Sequence, residues 1–289
     1  MTLELIHTAT EARKRLDTIR QEGKTVGLVP TMGALHAGHR RMIEEARSEC
    51  EWLVVSIFVN PLQFGPKEDF DRYPGELSVD LRVCEKLGVD AVFAPEVDEM
   101  YPSSHRTSVE VKEITDYLCG HFRPEHFKGV TTVVLKLFHI WTPDRAYFGE
   151  KDAQQTAVIR QMVQDLNLPV LIQEMPTVRE LDGLAVSSRN KFLDPEHRKA
   201  AGSLFQALKE AARQVQEGIT EPGLVRQAGL DILEREPLIQ VEYFELVDPE
   251  RMRPAKDLRS AFRACSAVRV GHTRLIDNLL ISPASPTTS

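Results

Sequence analysis

Residues 26–47 read VGLVPTMGALHAGHRRMIEEAR, and this stretch decides the fold. The run 25–29 is short, apolar and carries Val26 and Val29, the composition of a buried strand. Pro30 and Gly33 break it. From Gly38 onward Met42, Ile43 and Ala46 recur at helical spacing, the apolar stripe of a helix lying on a sheet. A strand, a glycine-bearing turn and a helix in that order predict free backbone N–H groups pointing into the turn. The helix N-terminus adds roughly half a positive charge, so the turn suits phosphate.

His36 and His39 give that turn the pattern H-x-G-H. Three residues apart at a helix start, both imidazoles can face one point in space. Electropositive surroundings should lower their pKa values, so that each donates an N–H bond at neutral pH without full charge. Gly38 lets a bulky ligand approach the backbone. The pattern is neither the G-x-x-x-x-G-K-[ST] phosphate loop nor G-x-G-x-x-G. It resembles the HIGH-type signature of the nucleotidylyltransferase superfamily, whose members bind ATP and transfer a nucleotidyl group. A metal site or two surface histidines is the plainer alternative; the flanking strand, glycines and helix favour phosphate.

The 289 residues suffice for one large or two medium domains with a sizeable core. Charged residues at 27% and hydrophobic ones at 42% are ordinary for a soluble globular protein. A net charge of -7 argues against a general nucleic-acid binder, while a local basic pocket can still hold a nucleotide. Cys50, Cys84, Cys119 and Cys265 are scattered, without a C-x-x-C. They read as reduced thiols of a cytoplasmic protein, not as a disulfide frame or zinc site. MTLELIHTATEARKR at the start has no signal-type apolar core, and no segment approaches membrane-spanning length.

Outward from the central stretch, strands and helices alternate. Thr8 and Glu11 form a T-x-x-E capping box for a helix with apolar face Ala12, Leu16 and Ile19, ended by Gly23. WLVVSIFV (52–59) is almost continuously apolar, as expected of a parallel strand covered on both faces. Asn60-Pro61, Gln63, Phe64 and a Gly/Pro/Asp loop to Pro74 follow. Leu77, Leu81 and Cys84 mark a helix, and Gly88 leads into a short strand at 91–94. This alternation predicts an α/β fold with a doubly wound, Rossmann-like parallel sheet. Ligands of such sheets bind beyond the carboxyl ends of the strands, where the H-x-G-H turn and Gln63 both fall.

CGHFRPEHFKGV (119–130) reads as a loop, and Val130, Val133, Val134, Leu137 and Phe138 mark a buried helix after it. A strand at 145–148 ends in Gly149-Glu150-Lys151-Asp152 before a helix at 153–166, repeating the strand–glycine–helix logic of the first site. Residues 170–172 form the last strand of a first domain spanning 1–178. Residues 179–289 are expected to form a smaller α+β domain. Its parts are a polar loop at 187–190 and one helix running from the Asp194 N-cap and Pro195 through Leu204, Leu208 and Val215 to Gly218. A helix at Pro222–Glu234 and strands at Ile239–Val247, 264–270 and 275–281 complete it. The tail SPASPTTS has a disordered composition.

Six motifs in order now resemble one family: PTMGALHAGH (30–39), FVNPLQF (58–64), RPEHFKGVTTVV (123–134), FGEKDAQQ (148–155), PTVRE (176–180) and GLAVSSRN (183–190). The chain is similar to the pantothenate synthetases, or pantoate–β-alanine ligases, from its first strand to about Asp194; VEYFELVDP (241–249) and the last strands look family-like too. The resemblance implies that pantoate attacks the α-phosphate of ATP, giving pantoyl adenylate and pyrophosphate. β-Alanine then attacks the acyl carbon, giving pantothenate and AMP. It further implies Mg²⁺ with ATP and a cytoplasmic homodimer with a nucleotide-binding N-terminal domain and a lid-like C-terminal one. Its partners would be small molecules, not nucleic acid or membrane.

Residue by residue, the resemblance implies an ATP-binding turn of Met32, Gly33, Ala34, Leu35, His36, Ala37, Gly38 and His39, with His39 as the acid in catalysis. Gln63 and Gln155 would bind pantoate, Gln63 also lying near β-alanine. Gly149, Glu150, Lys151 and Asp152 would form a second nucleotide contact, in which Lys151 neutralises phosphate charge and Asp152 holds Mg²⁺ directly or through water. Val178 would touch adenine through its backbone. Val186, Ser187, Ser188 and Arg189 would clamp phosphate, with Arg189 stabilising transition-state charge. His39, His36, Lys151 and Arg189 are thus the expected catalytic set. Glu125 stands where the family commonly has Gly, which keeps Arg123 and His126 outside this core site.

Two other readings compete. Another adenylyl-transferring enzyme of the superfamily explains H-x-G-H but not the two glutamine motifs. A non-catalytic metal- or nucleotide-binding protein would use His36, His39, His121 and His126, yet lacks a carboxylate or cysteine cluster to close a metal site.

Overall fold

The computed structural model describes residues 2–66, 68 and 70–283; positions 284–289 of the expected disordered tail lie outside them. In chain order the elements are β1 (Glu4–Ile6), α1 (Ala9–Gln21), β2 (Val26–Thr31), α2 (Ala37–Glu49), β3 (Trp52–Ile57), α3 (Leu77–Lys86), β4 (Ala91–Phe93), α4 (Val97–Met100), α5 (Cys119–Phe122) and α6 (His126–Trp141). Then come β5 (Arg145–Gly149), α7 (Ala153–Asp165), β6 (Leu171–Met175), α8 (Pro195–Ala201), α9 (Ser203–Gln216), α10 (Pro222–Glu234), β7 (Ile239–Val247), β8 (Phe262–Val270) and β9 (Thr273–Ile281). They divide into two compact units. The first takes the chain up to Lys112, Arg123–Glu150 and Val158–Pro176; the second takes Glu113–Phe122, Lys151–Ala157 and the chain from Thr177 on. Segments 113–122 and 151–157 sit inside the first domain of the sequence reading, so no single cut in the chain describes the division.

The first unit is built on a six-stranded sheet in the order β1-β4-β3-β2-β5-β6. Every pairing in it is parallel. The α/β, doubly wound expectation holds. Leu28 and Val29 of β2 and Leu53, Val54 and Val55 of β3 are fully buried, as parallel strands covered on both faces require. On one face Met42, Ile43 and Ala46 of α2 and Cys84 of α3 pack with Val29, Leu53, Val55 and Val92. Trp141 of α6 packs against Trp52 and Phe93, with ring centroids 5.4 and 5.8 Å apart. The chain runs from β2 through β3 to β4 on one side, then returns to lay β5 and β6 on the other. The order therefore reverses between β2 and β5, the place where doubly wound sheets bind ligands.

Two local expectations are corrected, and one strand, β1, was not foreseen. β1 escapes a periodicity reading because it has three residues, of which one, Ile6, is buried. The supposed loop at 119–130 is helical at both ends, in α5 and from His126 onward in α6. Gly129, a loop signal in sequence, lies inside α6 because the backbone of residue 62 crosses there. A Cβ on it would stand 2.3 Å from the Leu62 carbonyl oxygen. The single helix from Asp194 to Gly218 is two, α8 and α9, divided at Gly202. There Gly202 N–H reaches back three residues to Lys199 O, and the Ser203 hydroxyl donates to the Ala200 carbonyl.

In the second unit β7, β8 and β9 form an antiparallel sheet. One of its faces carries the core: Phe244, Leu246, Phe262, Val268 and Leu275 pack with Leu204, Leu208 and Val215 of α9 and Val225 and Leu233 of α10. Gly229 in α10 faces the Phe244 ring, where a Cβ would stand 2.3 Å from Cζ. Tyr243 Oη and Arg274 Nη2 both lie 3.4 Å from Cys119 Sγ, which ties α5 to this sheet. All four cysteines are free and buried. Among the described residues no helix is long and apolar enough to cross a membrane.

Candidate functional site

β2 ends at Thr31, and the turn that follows is held from within the protein. Thr31 Oγ1 accepts from Gly33 N–H at 3.1 Å. Asp80 of α3, 2% exposed, accepts from Ala34 N–H through Oδ2 and Leu35 N–H through Oδ1, both at 2.8 Å. His36 N–H meets His39 Nδ1 at 3.3 Å, and Gly38 N–H meets His36 Nδ1 at 3.2 Å. The expectation of free N–H groups pointing into the turn is thus corrected at residues 33, 34, 35, 36 and 38. A buried carboxylate, a hydroxyl and two imidazoles occupy them.

The histidines gain a defined state from this arrangement. His36 is the N-cap of α2, and with His39 it forms a reciprocal capping box. A ring nitrogen that accepts an N–H bond carries its lone pair there, so a neutral imidazole keeps its proton on the other nitrogen. Both Nδ1 atoms accept; both Nε2 atoms are then donors. The rings stack with centroids 3.9 Å apart, an approach that suits two neutral rings better than two cations.

Beyond β3 a short 3-10 turn, Pro61–Gln63, carries the first glutamine. Asn60, 1% exposed, donates through Nδ2 to Gln63 Oε1 and Gly129 O, each at 3.1 Å, and accepts from Tyr101 Oη at 2.9 Å. Burial pushes the Tyr101 hydroxyl well above its usual pKa. Gln63 Nε2 lies 2.7 Å from Met32 Sδ, so the turns after β2 and β3 meet. The Gln63 carbonyl accepts from Arg123 Nη2 at 3.1 Å and lies 2.9 Å from His126 Nδ1. Arg123 also pairs with Glu68 through two nitrogens. Burial raises the Glu68 carboxyl, but the bonds and charge of Arg123 outweigh it and hold it below the usual range. Glu125 points outward, paired with Lys128 at 3.2 Å, and leaves Arg123 and His126 at the edge of this site.

Gly149 ends β5 and Glu150 follows, beside the β2 side of the sheet. Lys151, Asp152 and Gln155 belong to the second unit. Lys151 Nζ and Asp152 Oδ1 are 3.6 Å apart, with the Asp152 side chain 44% exposed. Gln154, which the sequence reading passed over for Gln155, is buried and crosslinks the segment. Its Oε1 accepts from Cys119 N–H, and its Nε2 donates to the Ile114 and Tyr117 carbonyls. Val178 and Val186 face one another in a hairpin through Val186 N–H to Val178 O, 2.9 Å. Ser187 then caps a 3-10 turn, Ser188–Phe192, accepting from Arg189 N–H at 3.3 Å.

Within the first unit the structure brings the Met32–His39 turn and Gln63 together; Lys151, Asp152, Gln155, Val178, Val186, Ser187, Ser188 and Arg189 all belong to the second. Asp80 and Asn278 were missed. Asp80 sits in an ordinary amphipathic helix pattern, and Asn278 in a strand; neither carries a motif. Their signal is burial of a polar group, which appears only once the chain is folded. Among the described residues no group of three or more His, Cys, Asp or Glu is placed to hold a metal ion.

A family profile described as pantoate–β-alanine ligase matches residues 4–280. A pantothenate synthetase of Thermoanaerobacter sp. (strain X514) is 51% identical over 271 residues, covering 94% of this chain and 96% of that protein. The crystal structure of pantothenate synthetase from Thermus thermophilus superposes with a TM-score of 0.92 at 45% identity, over 97% of this chain and all of that one. A pantoate–β-alanine ligase of Francisella tularensis, crystallised with beta-gamma ATP and β-alanine, gives a TM-score of 0.80 at 33% identity, over 96% and 98% of the two chains.

Proposed function

Because the chain belongs to the pantoate–β-alanine ligase family, we infer from its own residues how the work of that reaction is divided. The enzyme joins pantoate to β-alanine at the expense of ATP. In the first half-reaction a pantoate carboxylate oxygen bonds to the α-phosphorus of ATP, and the bond from that phosphorus to the pyrophosphate oxygen breaks. In the second the β-alanine amine attacks the acyl carbon of pantoyl adenylate; AMP leaves, and the amine loses a proton to form the amide.

The observation that carries the assignment of His36 and His39 is that both Nδ1 atoms accept backbone N–H bonds. Neutral rings held this way keep N–H donors at Nε2, fixed at the carboxyl end of β2. Donors already in place stabilise negative charge building on phosphoryl oxygens as pyrophosphate leaves, and cost no reorganisation then. In this reading His39 is the principal donor and His36 orients it. The remaining turn residues, Met32–His39, contact ATP mainly through shape and these rings, since five of their N–H groups are occupied.

Gln63 and Gln155 grip pantoate. An uncharged amide bonds a hydroxyl or carboxylate and leaves the carboxylate nucleophilic. Gly149, Glu150, Lys151 and Asp152 form the second nucleotide contact, and the Lys151 ammonium neutralises phosphate charge. Val178 and Val186 offer backbone to the nucleotide, and Ser187, Ser188 and Arg189 clamp phosphate. Asp152, with its side chain 44% exposed and in no cluster of three metal-ligating groups among the described residues, suits an ion brought by the nucleotide. Mg²⁺ needs only one or two protein carboxylates when phosphates supply the rest, and would neutralise phosphate charge there. Lid-like action of the smaller unit, a homodimeric assembly and a cytoplasmic location belong to the same proposal.

Incubating the protein with ATP, pantoate and β-alanine should yield AMP, pyrophosphate and pantothenate in equal amounts. Labelled pyrophosphate should exchange into ATP when pantoate is present and β-alanine absent. Exchange that strictly requires β-alanine would exclude a freely formed acyl adenylate.

A further inference from the structure

We propose that Asn278 is a positioning residue for the first half-reaction: its side-chain amide fixes the Lys151 backbone and so aims the Lys151 ammonium. Asn278 is 5% exposed on β9, and its Nδ2 donates to Lys151 O at 2.9 Å. The other end of the same amide is anchored, because Oδ1 accepts from Arg263 Nη1. The amide is therefore held at both ends by groups that match its polarity. Rotating it by 180° would set its N–H groups against a guanidinium, so only one orientation is stable.

The anchor extends to the other expected phosphate segment. Asp277, next in the strand and 2% exposed, accepts Arg179 through both oxygens, at 2.6 and 3.0 Å. Arg179 Nη2 also donates to Asn278 O at 3.2 Å, and its guanidinium lies 4.0 Å above the Phe205 ring. Arg179 stands beside Val178 in the hairpin that leads to Ser187–Arg189, and Arg179 bridges Ala185 across it. Two adjacent residues of β9 thus hold both the Lys151 turn and the root of the Ser187 loop. A guanidinium paired with a buried carboxylate is stiff, since releasing it strands the Asp277 charge. The turn that carries Lys151 is a single short 3-10 turn, Glu150–Asp152, a geometry whose hydrogen bonds are poorer than those of an α-helix.

This inference rests on the reading of Lys151 as a phosphate contact, and its test separates the two. Asn278→Asp keeps the shape and the bond to Arg263 but replaces the donor to Lys151 O by an acceptor. Pyrophosphate exchange should slow by about 10- to 100-fold, the scale of misplacing a charged group by roughly an ångström. The second half-reaction, run on supplied pantoyl adenylate, should change less than roughly threefold, about the scatter of such comparisons. Asn278→Ser is the second variant should the first not fold, folding being judged by thermal unfolding. The deciding readout is a double-mutant cycle with Lys151→Ala. If Asn278 acts through Lys151, its substitution adds nothing to the exchange rate once Lys151 is gone. Fully additive losses, or normal exchange in a folded Asn278 variant while Lys151→Ala is slow, would overturn the positioning role alone. Normal exchange in Lys151→Ala would overturn the phosphate reading of Lys151, and the positioning role with it.

Discussion

Asp80 holds Ala34 in the left-handed region of backbone space: Ala34 has φ 53°, and its N–H donates to Asp80 Oδ2 at 2.8 Å. A non-glycine residue with positive φ is strained by about 1–2 kcal/mol and persists only where its surroundings impose it. Gly33 beside it, at φ 81°, meets the same demand without a Cβ; one added there would stand 2.9 Å from Asp80 Oδ2. The turn is therefore shaped from below by a carboxylate of α3, before any ligand arrives.

Removing that carboxylate should cost both stability and rate. Asp80→Ala strands the N–H groups of Ala34 and Leu35, at about 1–3 kcal/mol for each buried donor left unsatisfied. Asp80→Asn keeps one acceptor oxygen and should lose roughly half as much. Urea unfolding reads the stability, and pyrophosphate exchange reads the turn. Wild-type stability in Asp80→Ala would mean that water replaces the carboxylate and that the turn does not depend on it.

His39→Ala should slow adenylate formation by about 10²–10³-fold, the loss typical of one preorganised donor at developing charge. The second half-reaction, started from pantoyl adenylate, should suffer less. His39 also accepts the His36 N–H, so part of any loss could come from the cap. His39→Asn keeps an acceptor near that position; its retention of the fold with loss of rate would assign the effect to the imidazole donor. Equal losses in both half-reactions would instead show that His39 supports the whole site.

Much of the first unit was legible because its signals are local. The run of residues 52–55, the stripe Met42–Ile43–Ala46 and the Thr8–Glu11 box each follow from neighbours in sequence, and each sits where expected. The turn's glycine and histidines were legible as a motif. What occupies its N–H groups was not, because Asp80 lies far along the chain and is brought under the turn only by the packing of α3 on the sheet. The same holds for Asn278 and Lys151. A loop signal such as Gly129 misleads for a related reason: glycine serves a close approach between backbones as readily as a bend, and only the partner backbone distinguishes them. The small division of the Asp194 helix falls where the Ser203 hydroxyl meets the Ala200 carbonyl and Gly202 N–H turns back to Lys199 O, contacts that carry no periodic signal in sequence.

The cysteines give a prediction independent of the site. Burial pushes the Cys84 and Cys265 thiols up to about 12 and raises Cys50 as well, while Cys119 is enclosed between Tyr243 and Arg274. The thiolate is the reactive form, so Cys50, Cys84 and Cys265 are both shielded and in the unreactive state at neutral pH, and Cys119 is shielded by its burial. A colorimetric thiol reagent at about pH 8, near the free-thiol pKa, should find no fast-reacting cysteine in the native protein and all four after unfolding in guanidinium. One stoichiometric fast thiol in the folded protein would contradict this, and its identity by mass spectrometry would show which wall opens.

Substrate selection is tested at the two glutamines. Gln63 is 9% exposed, and its amide is already oriented: Oε1 accepts from Asn60 and Nε2 lies against Met32 Sδ. Replacing it by Leu keeps the volume and removes the amide. Asn60 Nδ2 keeps the Gly129 carbonyl but loses the partner of its other N–H, a stability cost of about 1–3 kcal/mol that thermal unfolding reads, whereas a thioether is a weak acceptor whose loss costs little. The effect on the ligand is read as kinetics of the folded variant. A site built to bond a hydroxyl or carboxylate discriminates strongly because losing the partner leaves buried polar groups unmatched. Gln63→Leu and Gln155→Leu should each weaken pantoate use by about 1–3 kcal/mol per bond lost, up to roughly a hundredfold in kcat/KM. ATP binding followed by calorimetry should change little in either, since ATP is assigned to the histidine turn and the Lys151 segment. Gln63→Leu should also raise the KM for β-alanine, whereas Gln155→Leu should leave it near normal, because only Gln63 is assigned a place near that substrate. Normal pantoate kinetics in both variants would remove the glutamines from the pocket. A loss of ATP affinity equal to the loss for pantoate would instead return Gln63 to a structural part, the brace between the turns that follow β2 and β3.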